Sequence, residues 1–294
     1  MSINKTPLRY PGGKQRLWPF VKEILLTNGL KEGHYVEPYA GGAGVAIELL
    51  LRGCVSTIHL NDSCIGVYSF WHSILNETER FCSKVARASL TVDEWLKQRE
   101  VFKDRARADR FDVGFATFYL NRCNRSGILT GGVIGGLSQS GHWKIDARFP
   151  RNELIKRIEA IAAKKSSIRI KNWDAERFLD SYVSKLPKTT LIYCDPPYFH
   201  KADRLYHDHY RIEDHARIAQ VIQRRIKRHW IVSYDSALQI MEHYEKKRSF
   251  LYALQYNAAR AYKGTEAFFF SDSLKLPKSS SVPYIDAALR ALVA

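Results

Sequence analysis

The sequence predicts an α/β protein built on an open β-sheet, and three stretches of the chain carry this prediction. Residues 35–51 have the pattern of a strand, a glycine-rich turn and a helix. Residues 56–60 and 191–194 are short apolar runs with the β-branched and aromatic content of strands. Segments with helical periodicity separate these strands, and such alternation is typical of α/β proteins.

Length and composition indicate a folded protein with a polyanionic partner. The 294 residues suffice for one large domain or for one domain that carries an insertion, and the hydrophobic content of 45% is ordinary. The formal net charge of +16 is high, and residues 97–171 hold 17 basic against 7 acidic residues. Because this charge is clustered and no basic amphipathic helix stands out, nucleic acid is favoured over an anionic membrane or a merely solvated surface.

The cysteines and histidines predict neither a disulfide framework nor a metal site. The five cysteines form no CxxC pair and are odd in number, so reduced thiols in a cytoplasmic protein are expected. The ten histidines form no HExxH motif, and His207 and His209 beside Asp208 fit a polar loop better than a metal site. The N-terminus lacks the apolar core of a signal peptide, and no apolar run has transmembrane length.

The first elements surround two glycine-containing loops. Residues 6–14 place two glycines before Lys14, which lets the backbone approach a ligand closely, although the spacing of a Walker A loop is absent. A short amphipathic helix is predicted over residues 16–26. Farther on, the strand within residues 35–44 runs into Ala40, Gly41 and Gly42, where a cofactor can lie against backbone and a helix N-terminus.

Asp62 ends the next predicted strand, about 20 residues after the glycine turn. An acidic residue at that spacing can accept hydrogen bonds from the hydroxyl groups of a ribose. The glycine turn and Asp62 together therefore indicate a cofactor that contains a nucleoside, and a plain strand–turn–helix connection is the alternative.

The middle of the chain is predicted to be helical over residues 64–88, 91–110 and 111–120. In the first of these helices an apolar and aromatic stripe recurs at helical spacing, which predicts a place in the core rather than at a site. The stripe consists of Tyr68, Trp71, His72 and Leu75.

Residues 127–141 have a different character, because six of the fifteen are glycine. Glycine-rich hairpins or loops that carry Asn, Gln and Arg can enter a DNA groove and read base edges. Because this stretch lies in the most basic part of the chain, we expect it to contact DNA, and a mobile surface loop is the alternative. The candidate DNA-binding residues are Arg122, Asn124, Arg125, Ser138, Gln139, Trp143 and Lys144.

The last part of the chain completes the sheet. A helix over residues 151–165 and a strand over 167–171 lead to Asp174, which is either a second cofactor contact or the N-cap of a helix over 175–182. A helix over 212–228 precedes a strand over 229–234. Residues 250–256 and 266–271 have the pattern of a closing antiparallel pair. A tail with a short helix from Ile285 is expected after Asp272.

The strand at residues 191–194 stops at Asp195, Pro196, Pro197 and Tyr198. The prolines fix φ and donate no N–H, so we expect a stiff loop with free carbonyl groups at the strand end where α/β sheets bind ligands. The acceptors and the aromatic face suit a flat ligand with an exocyclic amino group. Two acceptors that hold the hydrogens of such an amino group make its nitrogen a better nucleophile toward an electrophilic methyl. The alternative is a tight turn after a core strand.

Taken together and in this order, the motifs resemble the Dam-like DNA adenine-N6 methyltransferases, also called the D12 class or α group. The resemblance covers about residues 7–271. The matching segments are 10–14, 36–44, 61–62, 120–122 and 195–198, and the family often has Trp where this chain has Tyr10.

The resemblance implies a Rossmann-like S-adenosylmethionine-dependent methyltransferase sheet with an inserted, mainly helical target-recognition region. The catalytic domain would comprise residues 1–66 and 167–272. The insertion that binds DNA would comprise residues 67–166, and a tail would comprise 273–294.

The resemblance also implies S-adenosylmethionine as methyl donor and double-stranded DNA as partner, with no metal. The target adenine would be flipped out of the duplex, stacked on Tyr198, and held through its N6 hydrogens by Asp195 and the Pro196 carbonyl. Pro197 completes this catalytic motif. The residues that would hold the cofactor are Tyr10, Lys14, Pro38, Tyr39, Ala40, Gly41, Gly42, Asp62, Asp174 and Asp195.

Several alternatives stay open at this point. Residues 131–136 and 139–141 differ from those associated with GATC recognition in Dam, so the target is either another short site or is relaxed. An N4-cytosine, RNA or protein-glutamine methyltransferase is disfavoured by the acid at Asp195. An inactive DNA-binding protein on the same fold is disfavoured by the presence of Lys14, Asp62, Asp195 and Tyr198. The sequence does not determine the oligomeric state or membership of a restriction or phage-defence system.

Overall fold

A seven-stranded sheet forms the centre of the protein. The structure is a computed structural model that describes residues 5–9, 14–199, 210–257 and 261–278, with the backbone alone for 252–257 and 261–265. The strands are β1 (His34–Glu37), β2 (Thr57–Asn61), β3 (Ile168–Lys171), β4 (Thr190–Cys194), β5 (His229–Asp235), β6 (Ser249–Asn257) and β7 (Ala261–Phe270). Their order in the sheet is β3-β2-β1-β4-β5-β7-β6.

The first five strands are parallel, and β7 runs antiparallel to both β5 and β6. The chain moves outward from β1 through β2 to β3 and then returns to place β4 on the other side of β1. The direction of strand addition therefore reverses between β1 and β4, and in sheets of this kind ligands bind in the crevice at the carboxyl ends of the strands beside such a reversal. The α/β class and the closing antiparallel pair predicted from the sequence are confirmed.

Helices cover both faces of the sheet. They are α1 (Trp18–Thr27), α2 (Gly44–Leu51), α3 (Ile65–Asn76), α4 (Thr78–Arg87), α5 (Val92–Lys103), α6 (Arg110–Cys123), α7 (Arg151–Ala162), α8 (Ala175–Arg177), α9 (Ile212–Gln220) and α10 (Leu238–His243). Short 3₁₀ segments lie at Lys14–Leu17, Arg125–Gly127, Lys165–Ser167 and Val183–Lys185, and π-helical turns at Phe178–Tyr182 and Val221–Arg225.

The core has two halves, because successive side chains along each strand point to opposite faces of the sheet. Leu191 and Tyr193 of β4 pack with the helices from α1 to α7, whereas Ile192 and Cys194 pack with α8 to α10 on the opposite face. This two-sided burial explains why β4 reads as a continuous apolar run.

The helices α3 to α7 all lie between β2 and β3 along the chain and pack mainly on one another, with α6 against α3 and α5. Two corrections to the predicted helices arise here. The helix predicted over residues 64–88 is two helices, because the backbone of Glu77 leaves the helical region with φ −134° and ψ 42°. The helix α10 was also not predicted from the sequence.

Two further points concern the predicted elements. Within the glycine-rich stretch the described backbone forms turns, with one isolated antiparallel bridge between Asn124 and Val133. The tail helix predicted from Ile285 lies outside the described residues. In the described part of the chain, no helix combines the length and apolar character needed to span a membrane.

Candidate active site

The candidate site lies where the carboxyl ends of β1, β2 and β4 meet. Pro38 follows β1, Asp62 follows β2 and Asp195 follows β4, and β1 stands between the other two strands. Two hydrogen bonds link the ends of β1 and β2. Ala40 N–H donates to the Asn61 carbonyl (2.9 Å), and Asn61 Nδ2 donates to the Pro38 carbonyl (3.0 Å). The topology therefore brings the predicted cofactor loops and the predicted catalytic motif together.

Asp195 is held from two directions. Ser233 Oγ on β5 donates a hydrogen bond to Asp195 Oδ1 (2.7 Å), and the Lys14 ammonium lies 3.3 Å from the same oxygen. The Ser233 hydroxyl also contacts the buried Tyr193 hydroxyl (2.8 Å). The Asp195 side chain keeps 28% of its surface exposed, so a ligand can reach it.

Burial raises the pKa of Asp195, the positive charge of Lys14 opposes this effect, and the nearby carboxylate of Glu266 adds to it. Hydrogen bonds from Ser233 and Lys14 favour the ionised form. A carboxylate with a raised pKa is a stronger hydrogen-bond acceptor than an ordinary surface aspartate.

Lys14, Tyr198 and Glu266 form a buried polar cluster beside Asp195. Lys14 Nζ lies 2.5 Å from the Tyr198 hydroxyl and 2.8 Å from Glu266 Oε1, and the Tyr198 hydroxyl also donates to Glu266 Oε1. The exposed fractions are 8% for Lys14, 3% for Tyr198 and 0% for Glu266, so the cluster is shielded from water. Burial alone would lower the pKa of Lys14, but the carboxylates of Asp195 and Glu266 outweigh it and raise that pKa.

Glu266 and Ser233 were not among the predicted site residues. Both lie in predicted strands, and their place beside Asp195 depends on strand pairing. The one available signal was that a charged residue, Glu266, begins its predicted strand and that the Ser233 hydroxyl interrupts an apolar run.

The glycine turn after β1 is shaped by contacts to Asp62. The Asp62 carboxylate accepts hydrogen bonds from Gly41 N–H (2.8 Å) and Cys64 N–H (3.0 Å). The turn itself has positive φ at Gly41 (44°) and Ala43 (46°). Trp71 donates its indole N–H to the Gly41 carbonyl (3.0 Å), so this core residue also supports the turn. Asp62 is half-buried at the end of β2.

Other predicted cofactor residues lie at the same loop. Pro38 and Ala40 are buried, the Gly42 carbonyl accepts a hydrogen bond from Thr6 Oγ1 (2.5 Å), and the Tyr39 hydroxyl contacts the Tyr210 hydroxyl (2.8 Å). Tyr10 lies outside the described residues.

Asp174 caps a helix. Its Oδ1 accepts hydrogen bonds from the backbone N–H groups of Glu176 (2.9 Å) and Arg177 (3.2 Å) at the start of α8. Of the two interpretations left open by the sequence, this geometry establishes the cap, and a contact to a cofactor stays a prediction.

Glu37, at the end of β1, is buried behind the turn. Its Oε1 accepts a hydrogen bond from Ala46 N–H (3.0 Å), and burial raises its pKa to about 8. This carboxyl thus fastens the start of α2 to β1. Within the described part of the chain, no three His, Cys, Asp or Glu side chains gather in a way that could hold a metal ion.

The predicted DNA-binding residues differ in burial. Arg122 and Asn124 are buried, with 6% and 0% exposed, whereas Arg125, Ser138, Trp143 and Lys144 are exposed. Gln139 is intermediate, and its amide spans the turn by bonding to the carbonyls of Ile134 and Gly136 and to Ile145 N–H.

The two buried side chains support the loop from inside. Arg122 donates to the Arg148 carbonyl (2.6 Å), and burial lowers its pKa. Asn124 accepts from Trp95 Nε1 (2.7 Å) and donates to the carbonyls of Ile128 and Leu129. Both side chains are therefore engaged by the protein itself in this structure, and their contact with DNA stays a prediction.

Comparisons with known proteins gave a family match and distant structural likenesses. The family model described as D12 class N6 adenine-specific DNA methyltransferase matches residues 10–261.

Two solved structures resemble the chain distantly. The rRNA methyltransferase aviRa from Streptomyces viridochromogenes has 12% identity and a TM-score of 0.37 over 90% of this chain and 86% of that one. Protein LPL1258 from Legionella pneumophila str. Philadelphia 1 has 10% identity and a TM-score of 0.38 over 94% and 91%. No curated protein sequence matches the chain. The predicted Rossmann-like methyltransferase fold is confirmed by the sheet and the family match.

Proposed function

The chain belongs to the D12 class N6 adenine-specific DNA methyltransferase family, and from this premise we propose that it transfers a methyl group from S-adenosylmethionine to the N6 amino group of an adenine flipped out of double-stranded DNA. The observation that carries the proposal is the position of Asp195 and Tyr198. Both follow β4 directly at the crevice beside the glycine turn, and Asp195 is partly exposed there.

The residues around the crevice fit S-adenosylmethionine. The half-buried Asp62 carboxylate at the end of β2 suits the ribose hydroxyls, and the Asp195 carboxylate suits a positively charged amino acid end. The turn formed by Pro38, Tyr39, Ala40, Gly41 and Gly42 would line the cofactor, together with Lys14 and, beyond the described residues, Tyr10. When bound, S-adenosylmethionine supplies an electrophilic methyl group on a sulfonium, which the N6 lone pair of adenine attacks directly.

The chain's own residues would orient the adenine for this attack. Asp195 and the Pro196 carbonyl would accept the two N6 hydrogens, which directs the nitrogen lone pair toward the methyl group. Pro197 restricts the loop. The Tyr198 ring, which is buried in this structure, would become accessible when DNA binds and would stack on the flipped base. Because Asp195 is prepositioned by Ser233 and Lys14, little reorganisation is required at the moment of transfer.

DNA would contact the exposed residues of the glycine-rich loop. Arg125 and Lys144 would pair with phosphates, and Ser138 and Trp143 would meet the groove or the bases, while Arg122, Asn124 and Gln139 keep the loop in shape. Phosphate contacts position a protein without reading sequence, so the proposal covers both a short specific site and relaxed methylation. In this proposal residues 67–166 serve as the recognition insertion of a catalytic domain made of 1–66 and 167–272.

The test is a nucleoside mass analysis of unmethylated plasmid DNA incubated with the protein and S-adenosylmethionine. N6-methyladenine is expected from the wild type, and its mapped positions would separate a specific site from relaxed methylation. Asp195→Asn should give none while keeping the thermal unfolding midpoint within a few degrees, because Asp195 lies at a strand end. Methylated cytosine alone would contradict the base assignment, and no methylated base would contradict the proposed activity.

A further inference from the structure

Glu266 joins three parts of the chain that are distant in sequence. Its carboxylate contacts Lys14, 252 residues away, and Tyr198, 68 residues away. Both partners belong to the site described above. Glu266 itself lies on β7, directly before a run of one alanine and three phenylalanines.

Strand pairing explains why this side chain faces the site. Glu266 pairs with Asp235 and Phe268 pairs with Ser233 across the β5–β7 ladder. Residues that pair directly lie on the same face of a sheet, as do residues two apart along one strand. Glu266 therefore shares a face with Ser233, whose hydroxyl holds Asp195.

A carboxylate that is 0% exposed would be costly to retain without a specific partner. Transfer of an ionised carboxylate from water into a protein interior costs several kcal/mol unless a cation and hydrogen-bond donors compensate. Glu266 has both, since Lys14 Nζ lies 2.8 Å away and the Tyr198 hydroxyl donates to the same oxygen. An apolar residue would fill the same strand position without needing a cation or hydrogen-bond donors. Packing of the core therefore does not explain why this residue is a glutamate.

The position of Lys14 supplies the explanation. Its ammonium lies between two carboxylates, 2.8 Å from Glu266 and 3.3 Å from Asp195. A lysine left with Asp195 alone would close on that carboxylate and compete with the amino group of a substrate for the same oxygen. The second carboxylate draws Lys14 away from Asp195 and also gives the Tyr198 hydroxyl a fixed acceptor.

We propose that Glu266 is a positioning residue for methyl transfer, which holds the Lys14 ammonium and the Tyr198 hydroxyl so that Asp195 keeps an acceptor for the substrate amino group. This inference rests on the proposed function. Glu266 would contact neither the reacting nitrogen nor the methyl group, and it would act through Lys14, Tyr198 and Asp195.

A pH profile distinguishes this role from simple packing. The charged and titratable groups around Asp195 are Lys14, Glu266, Glu37, Tyr35, Tyr193 and Cys194. Among them, the negative charge of Glu266 raises the pKa of Asp195. Removal of that charge therefore lowers this pKa, so the acidic limb of the rate profile should move to lower pH.

The first experiment detects the contact between Lys14 and Glu266 and does not require methyltransferase activity. Lysine is labelled with ¹⁵N and the ammonium signals are recorded at neutral pH, with the Lys14 signal assigned from the Lys14→Met variant. A buried, hydrogen-bonded ammonium is expected to give a distinct signal that shifts or broadens in Glu266→Gln. An unchanged Lys14 signal in that variant would overturn the proposed contact.

The second experiment measures single-turnover methylation of plasmid DNA across pH. Glu266→Gln should lower the maximal rate by about tenfold or more, change the KM for DNA less than about threefold, and move the acidic limb to lower pH. Glu266→Asp keeps the charge but shortens the reach, so its rate should fall several-fold while the acidic limb stays in place. If Glu266→Gln fails to fold, Glu266→Asp still tests the proposal.

Asp272→Asn is the matched control. It removes the acidic partner of Lys247 (2.7 Å) just beyond the same strand and should leave rate and pH profile unchanged. A Glu266→Gln protein with a lower unfolding temperature but wild-type rate and pH profile would reduce Glu266 to a packing role. Failure of the wild type to methylate adenine would instead count against the proposed function, and the lysine signal would still report on the contact.

Discussion

Replacement of Ser233 by alanine removes the hydrogen bond that fixes Asp195 from the side of β5. The Ser233 hydroxyl lies 2.7 Å from Asp195 Oδ1 and 2.8 Å from the Tyr193 hydroxyl, and Ser233 is fully buried. The change deletes one oxygen atom and leaves the strand, the Asp-Pro-Pro-Tyr loop and Lys14 in place. The variant therefore tests how the orientation of the Asp195 carboxylate affects the rate, because the carboxylate itself is still present.

The expected size of the effect follows from the kind of bond. A hydrogen bond to a charged group contributes about 1.5–3 kcal/mol when it is shielded from water. The Asp195 side chain is 28% exposed, so water can replace part of the bond. A loss of about 1–2 kcal/mol in the transition state corresponds to a fall in kcat of about 5- to 30-fold.

The pH dependence provides a second readout with a defined sign. Asp195 must be ionised to accept the N6 hydrogens, and the bond from Ser233 favours the ionised form and so lowers the pKa of Asp195. Without it this pKa rises, and the acidic limb of the rate profile should move to higher pH. The direction is opposite to that expected for Glu266→Gln, although both variants act on the same carboxylate.

Single-turnover methylation and thermal unfolding should be measured on Ser233→Ala, Tyr193→Phe and the double variant. Ser233→Ala leaves the buried Tyr193 hydroxyl without its Ser233 partner and should cost about 1–3 kcal/mol of stability, which the added Tyr193→Phe change should largely restore. The catalytic loss should persist in the double variant. Recovery of both rate and stability together would refute the proposed role of Ser233 at Asp195.

Three further predictions concern other regions. Arg125→Ala and Lys144→Ala should each weaken DNA binding and reduce the slope of log K against log salt by about one, measured by anisotropy, and an unchanged slope would move the DNA site elsewhere. Burial lowers the pKa of His59 to about 4. As pH falls, His59 therefore takes up a proton in the unfolded chain before it does so in the folded protein, and the free energy of unfolding should decline by about 3 kcal/mol at most between about pH 6.5 and 4. Urea titrations of His59→Asn should lack this decline. Asp174→Ala should cost about 1 kcal/mol as a lost N-cap while Asp174→Asn costs little, and a loss of S-adenosylmethionine affinity in the stable Asn variant would show that the carboxylate also binds the cofactor.

The local motifs could be recognised in the sequence because each depends on a few consecutive residues. The glycine turn needs residues that tolerate positive φ, and the structure has φ 44° at Gly41. The two prolines end β4 directly, so Asp195 must follow the strand. Asp62 likewise ends β2, and parallel strands place their carboxyl ends at one edge of the sheet.

The surroundings of the glycine-rich loop show what composition does not contain. Arg122 and Asn124 are polar residues beside a glycine-rich stretch in the most basic part of the chain, and this composition predicted a contact with DNA. They lie two positions apart at the end of α6, a helix that is buried on nearly all sides, and in this structure their polar groups bond to backbone carbonyls. Burial of a side chain depends on what packs over it, which the neighbouring sequence does not contain.

By itself the sequence determined the α/β class, the strand-end position of the Asp-Pro-Pro-Tyr motif and the family, because these follow from short-range pattern and motif order. Only the tertiary structure decided that Ser233, Lys14 and Glu266 surround Asp195. Their approach depends on the register of β5 against β7 and on the packing of the N-terminal segment over that face. Register and packing arise from contacts between residues that are up to 252 positions apart, so no local pattern records them.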